Sequence, residues 1–209
     1  MKYKALILDL DGTTVVNYSP DPPTKKVTEA IKKAHKRIHI SIATGRPLAQ
    51  VQHIIDHLEL SGPCILNNGS QIYDPIQKKI IHEVIFHKEL VPRIYEFCKK
   101  RRLEVRIFNG TQDIVHKGGP IPARVLSLYV PKGTTGMIDE VVMYCSALPH
   151  VATHRMITTE EGFHSMEITH TDASKLHGIV EVARHLNIKT EEIIGVGDGY
   201  NDFPLLMAS

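Results

Sequence analysis

Apolar and polar positions along the chain fall into two rhythms. Residues 4–10, KALILDL, form a short apolar run of strand length that ends in Asp-Gly turn chemistry. Prolines 20, 22 and 23 mark a loop. From Thr24 the spacing becomes helical, with Val27, Ile31, Ala34 and Ile38 on one face and lysines on the other. Residues 39–44, HISIAT, predict a second strand. Pro47 suits the first turn of the next helix, lined by Leu48, Val51, Ile54 and Leu58 and stopped at Gly62-Pro63. Residues 64–69, CILNNG, predict a third strand running into a glycine turn. The order strand, helix, strand, helix, strand predicts parallel strands with right-handed crossovers.

After residue 70 the rhythm changes. QIYD and KIIHEV flank a turn at 75–78 and predict a hairpin. A helix is expected over 87–102, strands at LEVRIF, QDIVHK and RVLSLYV, a helix over 137–147, and strands at HVATHRMI and SMEITH. This mixture predicts an inserted α+β module over residues 71–170. The first rhythm then returns. Residues 174–187 read as a helix with Leu176, Val180, Ala183 and Leu186 inward, and EIIGVGDG as a fourth parallel strand with a glycine-rich end. The expected class is α/β, with a discontinuous core over 1–70 and 171–209.

Composition adds exclusions. A formal net charge of +2 is too small to argue for nucleic acid or an acidic membrane surface as partner. The apolar run before Asp9 is too short for a signal peptide, and no stretch is long enough to span a bilayer. Three cysteines, far apart and odd in number, form no disulfide framework or CxxC site. These features lead to the expectation of a cytoplasmic protein.

The chemistry lies at the strand ends, where open parallel sheets bind ligands. The first ends in Asp9 and Asp11, the second in Thr44, Gly45 and Arg46, the third in Asn67, Asn68 and Gly69, and the fourth in Asp198, Asn201 and Asp202. Lys175 opens the preceding helix. Like charges in one partly dry site need a cation, and oxygen ligands suit Mg²⁺. Asp9 and Asp198 would hold it. Lys175, the Thr44 hydroxyl and the helix start after Gly45 would hold a phosphate. One carboxylate could attack phosphorus while the other moves the proton. Gly12 would let the backbone approach the phosphate closely.

DLDGT, ATGR, the lysine of DASKLHG and GVGDGYND, in this order, resemble the motifs of the haloacid dehalogenase superfamily. The insertion after NNG resembles that of the C2-capped branch, with its Cof-type and sugar phosphatases. The resemblance implies a Rossmann-like core and a cap, with Asp9 as nucleophile and Asp11 as general acid/base. It implies Thr44 and Lys175 as phosphate ligands. It implies Mg²⁺ on Asp9, the Asp11 carbonyl and Asp198, with Asp202 orienting a metal-bound water and Asn201 positioning the phosphate-binding loop. Arg46 and Asn68 would face the substrate. The expected activity is hydrolysis of a small phosphomonoester; a phosphomutase and a non-catalytic phospholigand-binding protein are the alternatives. Two departures stand out. Leu176 follows the lysine where the family usually has glycine, and family members continue for a further strand or two after the fourth motif, so that strand is expected at an open edge.

Rival readings attach to other residues. His53 with His57, and His35 with His39, have helical metal-ligand spacing, against solvated or hydrogen-bonded histidines. Lys99 to Arg102 could recognise an anion or simply face water at a helix end. Arg155, His164 and His170 could line a substrate pocket. Cys64 reads as a packed core thiol.

Overall fold

The computed structural model describes residues 2–16, 19–158, 160–199 and 202–208. The chain forms two compact units, Met1–Glu83 with Ala173–Ser209, and Val84–Asp172.

The first unit contains β1 (Ala5–Asp9), α1 (Lys25–His35), β2 (His39–Ala43), α2 (Leu48–Leu58), β3 (Cys64–Leu66), β4 (Gln71–Asp74) and β5 (Lys79–Glu83). The second contains α3 (Val91–Lys99), β6 (Arg106–Phe108), β7 (Asp113–Val115), β8 (Ser127–Thr134), α4 (Thr135–Ser146), β9 (Val151–Ile157) and β10 (Phe163–His170). The chain then returns to the first with α5 (Lys175–Leu186), β11 (Ile193–Val196) and α6 (Phe203–Ala208).

The first unit's sheet runs β11-β1-β2-β3-β4-β5. Strands β11, β1, β2 and β3 are parallel, so their carboxyl ends share one edge. Both faces are apolar, as expected of parallel strands covered on both sides. Ile40, Ile42 and Leu66 pack with Ile31 of α1 and Val51, Ile54 and Leu58 of α2. On the other face Ile7, Ala43 and Ile65 pack with Ile179 and Val182 of α5 and Leu205 of α6. β11 is the edge strand, as expected.

The hairpin of β4 and β5 belongs to this sheet: β4 pairs antiparallel with β3, and β5 with β4. The division therefore falls after Glu83, not after residue 70 as the sequence suggested. A change from crossover to hairpin rhythm marks a change of strand direction, which a single sheet accommodates.

α5 corrects a second expectation. Its inward residues are Lys175, Gly178, Ile179, Val182 and Ala183. Leu176 and Val180 are 41% and 48% exposed. The helix is turned so that Lys175 shares the buried face. Gly62 also differs in role. α2 stops at Glu59, which is left-handed (φ 53°). A Cβ at Gly62 would lie 2.2 Å from Ser41 Oγ, so this glycine permits close approach to β2.

The second unit is a five-stranded antiparallel sheet, β7-β6-β8-β10-β9. Alternation along β8 and β10 gives it two unlike faces. Leu128, Val130, Met166 and Ile168 pack with Ile94 and Cys98 of α3 and Ile138 and Val141 of α4. The intervening positions are polar, and one row runs in register through Arg106, Tyr129, Glu167 and His154. Among the described residues no helix is long and apolar enough to cross a membrane.

Candidate active site

The parallel strands deliver the motif residues to one edge of the sheet. Asp9 closes β1 and is 6% exposed. The chain then turns tightly: the N–H groups of Thr14 and Val15 donate to Leu10 O, and that of Gly12 (φ 87°) donates to Val15 O at 2.9 Å. This turn returns two hydroxyls to the strand ends. Thr14 Oγ1 donates to Asp9 O at 2.6 Å, and Thr13 Oγ1 donates to Asp198 Oδ1 at 2.7 Å, beyond β11.

Ser174 caps α5 by accepting from the His177 N–H, which fixes Lys175 in the first turn. The side chain of Lys175 is buried, and its Nζ donates at 2.5 Å both to Asp9 Oδ1 and to Asp202 Oδ1. Gly199 N–H holds the other Asp202 oxygen at 2.9 Å. Carboxylate oxygens of Asp9, Asp198 and Asp202 all lie within 4.8 Å of one another. One ammonium thus faces three carboxylates. Burial raises the Asp9 carboxyl above its ordinary value, outweighing the opposing pull of Lys175; Asp202 adds to the rise. Three hard oxygen donors with excess negative charge fit Mg²⁺ in ligand type and charge.

Asp11 takes another direction. Arg46 Nε donates to Asp11 Oδ2 at 2.9 Å and its Nη2 to Asp11 Oδ1, a two-pronged grip, while Nη1 donates to Ser19 O at 3.0 Å. The Asp11 carboxylate is thus held by Arg46 and is not grouped with the acidic trio.

Thr44 follows β2 and is buried; its Oγ1 accepts from the Arg46 N–H at 3.1 Å. Its carbonyl accepts from the Asn68 N–H at 3.1 Å. Asn67 and Asn68 are both left-handed (φ 48° and 52°), and Gly69 has φ 99°. This turn packs hard against its neighbours. A Cβ at Gly45 would lie 3.1 Å from Asn68 Nδ2, and one at Gly69 would lie 2.3 Å from Ser174 O. Gly69 therefore lets the start of α5 come close enough for Lys175 to reach Asp9. Asn201 lies outside the described residues.

Several other candidates have structural partners. His53 Nε2 lies 2.6 Å from Pro20 O, His57 Nε2 3.2 Å from Thr28 Oγ1, and His35 Nδ1 3.5 Å from Ser61 Oγ. Arg101 Nε pairs with Glu140 at 2.5 Å and lies over the Phe97 ring, and Arg155 pairs with Asp139. Cys64 is free and buried, its thiol pushed up to about 12 by desolvation. The arginine grip on Asp11 and the Thr13–Asp198 bond escaped sequence reading.

A family model described as haloacid dehalogenase-like hydrolase matches residues 6–129 and 134–209. A phosphoglycolate phosphatase from Methanopyrus kandleri is 24% identical over 211 residues, 98% of this chain and 80% of its own. The solved structure of a haloacid dehalogenase-like hydrolase from Bacteroides thetaiotaomicron is similar, with a TM-score of 0.80 and 21% identity over 99% of this chain and 86% of that one. The HAD subclass IIB sugar phosphatase BT4131 gives a TM-score of 0.78 and 25% identity over 99% of this chain and 85% of its own.

Proposed function

Because the chain belongs to the haloacid dehalogenase-like hydrolases, we propose that it is a Mg²⁺-dependent phosphatase acting on a small phosphomonoester through an aspartyl-phosphate. The observation that carries this reading is the buried lysine bridging two of three clustered carboxylates. The substrates named for the relatives, phosphoglycolate and a sugar phosphate, support a small soluble ester.

Asp9, Asp198 and Asp202, with the Asp11 carbonyl, are the groups that would hold Mg²⁺, which supplies positive charge for the phosphate oxygens. Lys175, the Thr44 hydroxyl and the backbone after Gly45 bind the phosphoryl oxygens, with Gly12 leaving room for them and Asn201 steadying the loop. Asp9 attacks phosphorus; the new O–P bond forms as the bond to the leaving oxygen breaks. Asp11 gives its proton to the leaving oxygen. It then takes one from the water that opens the aspartyl-phosphate, returning Asp9 as a carboxylate and releasing phosphate. Arg46 grips Asp11, and Arg46 and Asn68 would face the substrate. The second unit would serve as the cap that selects the leaving group.

The test is phosphate release from p-nitrophenyl phosphate and a panel of small phosphate esters, with and without Mg²⁺, for wild type and Asp9→Asn. Release that depends on Mg²⁺ and falls to background in the variant is expected. Equal release from both proteins would remove Asp9 as the nucleophile, and release without Mg²⁺ would remove the metal.

A further inference from the structure

We propose that the second unit carries a transition-metal site built from His87, His150 and His170, with Asp172 as the carboxylate that orients one of its imidazoles. The site is separate from the phosphatase reading and does not depend on it.

Three imidazoles from three different segments meet at one end of the unit's sheet. His87 lies in the segment entering the unit, His150 in the turn between α4 and β9, and His170 at the end of β10. Ring centres are 5.6 Å apart for His87 and His150, 5.3 Å for His87 and His170, and 5.5 Å for His150 and His170. The triangle is nearly equilateral. Imidazole nitrogens bind Zn²⁺ at about 2.0–2.1 Å with tetrahedral angles, which places the centres of neighbouring rings about 5 Å apart. The ring centres are therefore already at coordination spacing.

Backbone hydrogen bonds hold these segments in place. The Phe86 N–H donates to Val125 O at 2.8 Å, and the Phe86 side chain is buried in the unit's core, which anchors His87. The Thr171 N–H donates to His150 O at 3.1 Å, tying the turn to the end of β10. His150 itself is left-handed (φ 58°), a conformation glycine would take at no cost.

The ring nitrogens are not yet gathered. Among the described residues, only Asp9, Asp198 and Asp202 form a group whose donor atoms already lie within 4.8 Å of one another. Metal uptake therefore requires rotation of the rings about χ2, with their Cα positions kept. Asp172 supplies the orienting step. Its N–H donates to His170 Nδ1 at 3.1 Å, which leaves the ring proton on Nε2. Its carboxylate oxygen Oδ2 is 3.7 Å from the same Nδ1. If the ring turns so that the bond from the Asp172 N–H breaks and Oδ2 closes on Nδ1, the proton moves from Nε2 to Nδ1, Oδ2 accepts it there, and the Nε2 lone pair becomes available to a metal. This is the carboxylate–histidine–metal arrangement common at such sites. Neutral nitrogen donors with one orienting carboxylate favour Zn²⁺, Ni²⁺ or Cu²⁺ over Mg²⁺. His87 comes four residues after Glu83 and His170 three before Ala173. A bound ion would thus join the entry and exit segments of the unit to the turn between them.

The experiment is equilibrium dialysis of the metal-stripped full chain against Zn²⁺ with Mg²⁺ in excess, and cobalt spectroscopy of the same samples. Wild type should hold one Zn²⁺ per chain, and Co²⁺ should give the visible bands of a four-coordinate site with three imidazole nitrogens and a solvent oxygen. His150→Gly suits the local backbone and should keep the fold, checked by circular dichroism, while losing more than about 100-fold in Zn²⁺ affinity. Asp172→Asn should lose about 10–100-fold. His57→Ala, outside the cluster, should change neither. No Zn²⁺ retained by wild type, or equal retention by folded His150→Gly, overturns the site. Neither readout involves turnover, so failure of the phosphatase reading would leave these results unchanged.

Discussion

Asp9 is a carboxylate whose burial works against its own charge. Because its carboxyl is raised, the folded protein keeps this proton to higher pH than the unfolded chain does. Stability contributed at this position therefore falls as pH rises through the window above the ordinary carboxylate value. Metal-free Asp9→Asn should be more stable than wild type at pH 7, and the difference should vanish below about pH 4. Urea unfolding at the two pH values checks this. Adding Mg²⁺ should stabilise wild type and leave the variant unmoved. Arg46 gives a second residue-scale prediction. Lysine keeps the charge but loses the fork that grips both Asp11 oxygens. Arg46→Lys should lower kcat at least about tenfold, within the reach of general acid–base catalysis, while Mg²⁺ affinity stays unchanged. Strand-end residues such as Asp9, Thr44 and Asp198 were legible because a parallel sheet gathers its carboxyl ends. The grip of Arg46 on Asp11 spans 35 positions and the Thr13–Asp198 bond 185, and nothing in the local pattern singles out either pairing.

At the scale of elements, α5 shows where periodicity stops informing. The 3.6-residue repeat tells which residues share a face, and the helix was placed correctly. Choosing the inward face by apolar content pointed to Leu176 and Val180. Lys175 reversed that choice, because its charge is satisfied only inside, between Asp9 and Asp202. The histidine triangle was illegible for a related reason: its members lie outside or at the ends of their elements and share no repeat. Two glycines set where α5 sits. A Cβ at Gly178 would lie 2.6 Å from Ile65 Cγ2, so Gly178→Ala should cost about 1–3 kcal/mol through overpacking. Gly69→Ala adds a left-handed backbone to a clash with Ser174 O. It should cost more than Gly178→Ala and also weaken Mg²⁺ binding, because Lys175 moves with the helix. Chemical unfolding and metal titration of the two variants separate packing from site geometry.

For the whole molecule, each unit has its own apolar core, one lying between α3, α4 and the antiparallel sheet, the others on both faces of the mixed sheet. Calorimetry of the full chain should resolve two transitions. Mg²⁺ at a hundredfold excess over its Kd should stabilise the one containing Asp9 by about 2.7 kcal/mol and leave the other in place; a single transition that moves as a whole would contradict this. The two-unit plan was legible because the alternating rhythm stops and resumes, but its first boundary was not, since a hairpin reads alike in either sheet. The same plan separates Asp9 from Lys175 by 166 positions. At synthesis rates of about 5–20 residues per second, a ribosome makes Asp9 roughly 10–30 s before its counter-charge. Throughout that time the nascent chain carries Asp9 without its counter-charge, and Asp198 and Asp202 are made only after Lys175. Translation products interrupted before Lys175 would therefore be inert toward phosphate esters, and activity would begin only once the stretch from Lys175 to Asp202 has left the exit tunnel.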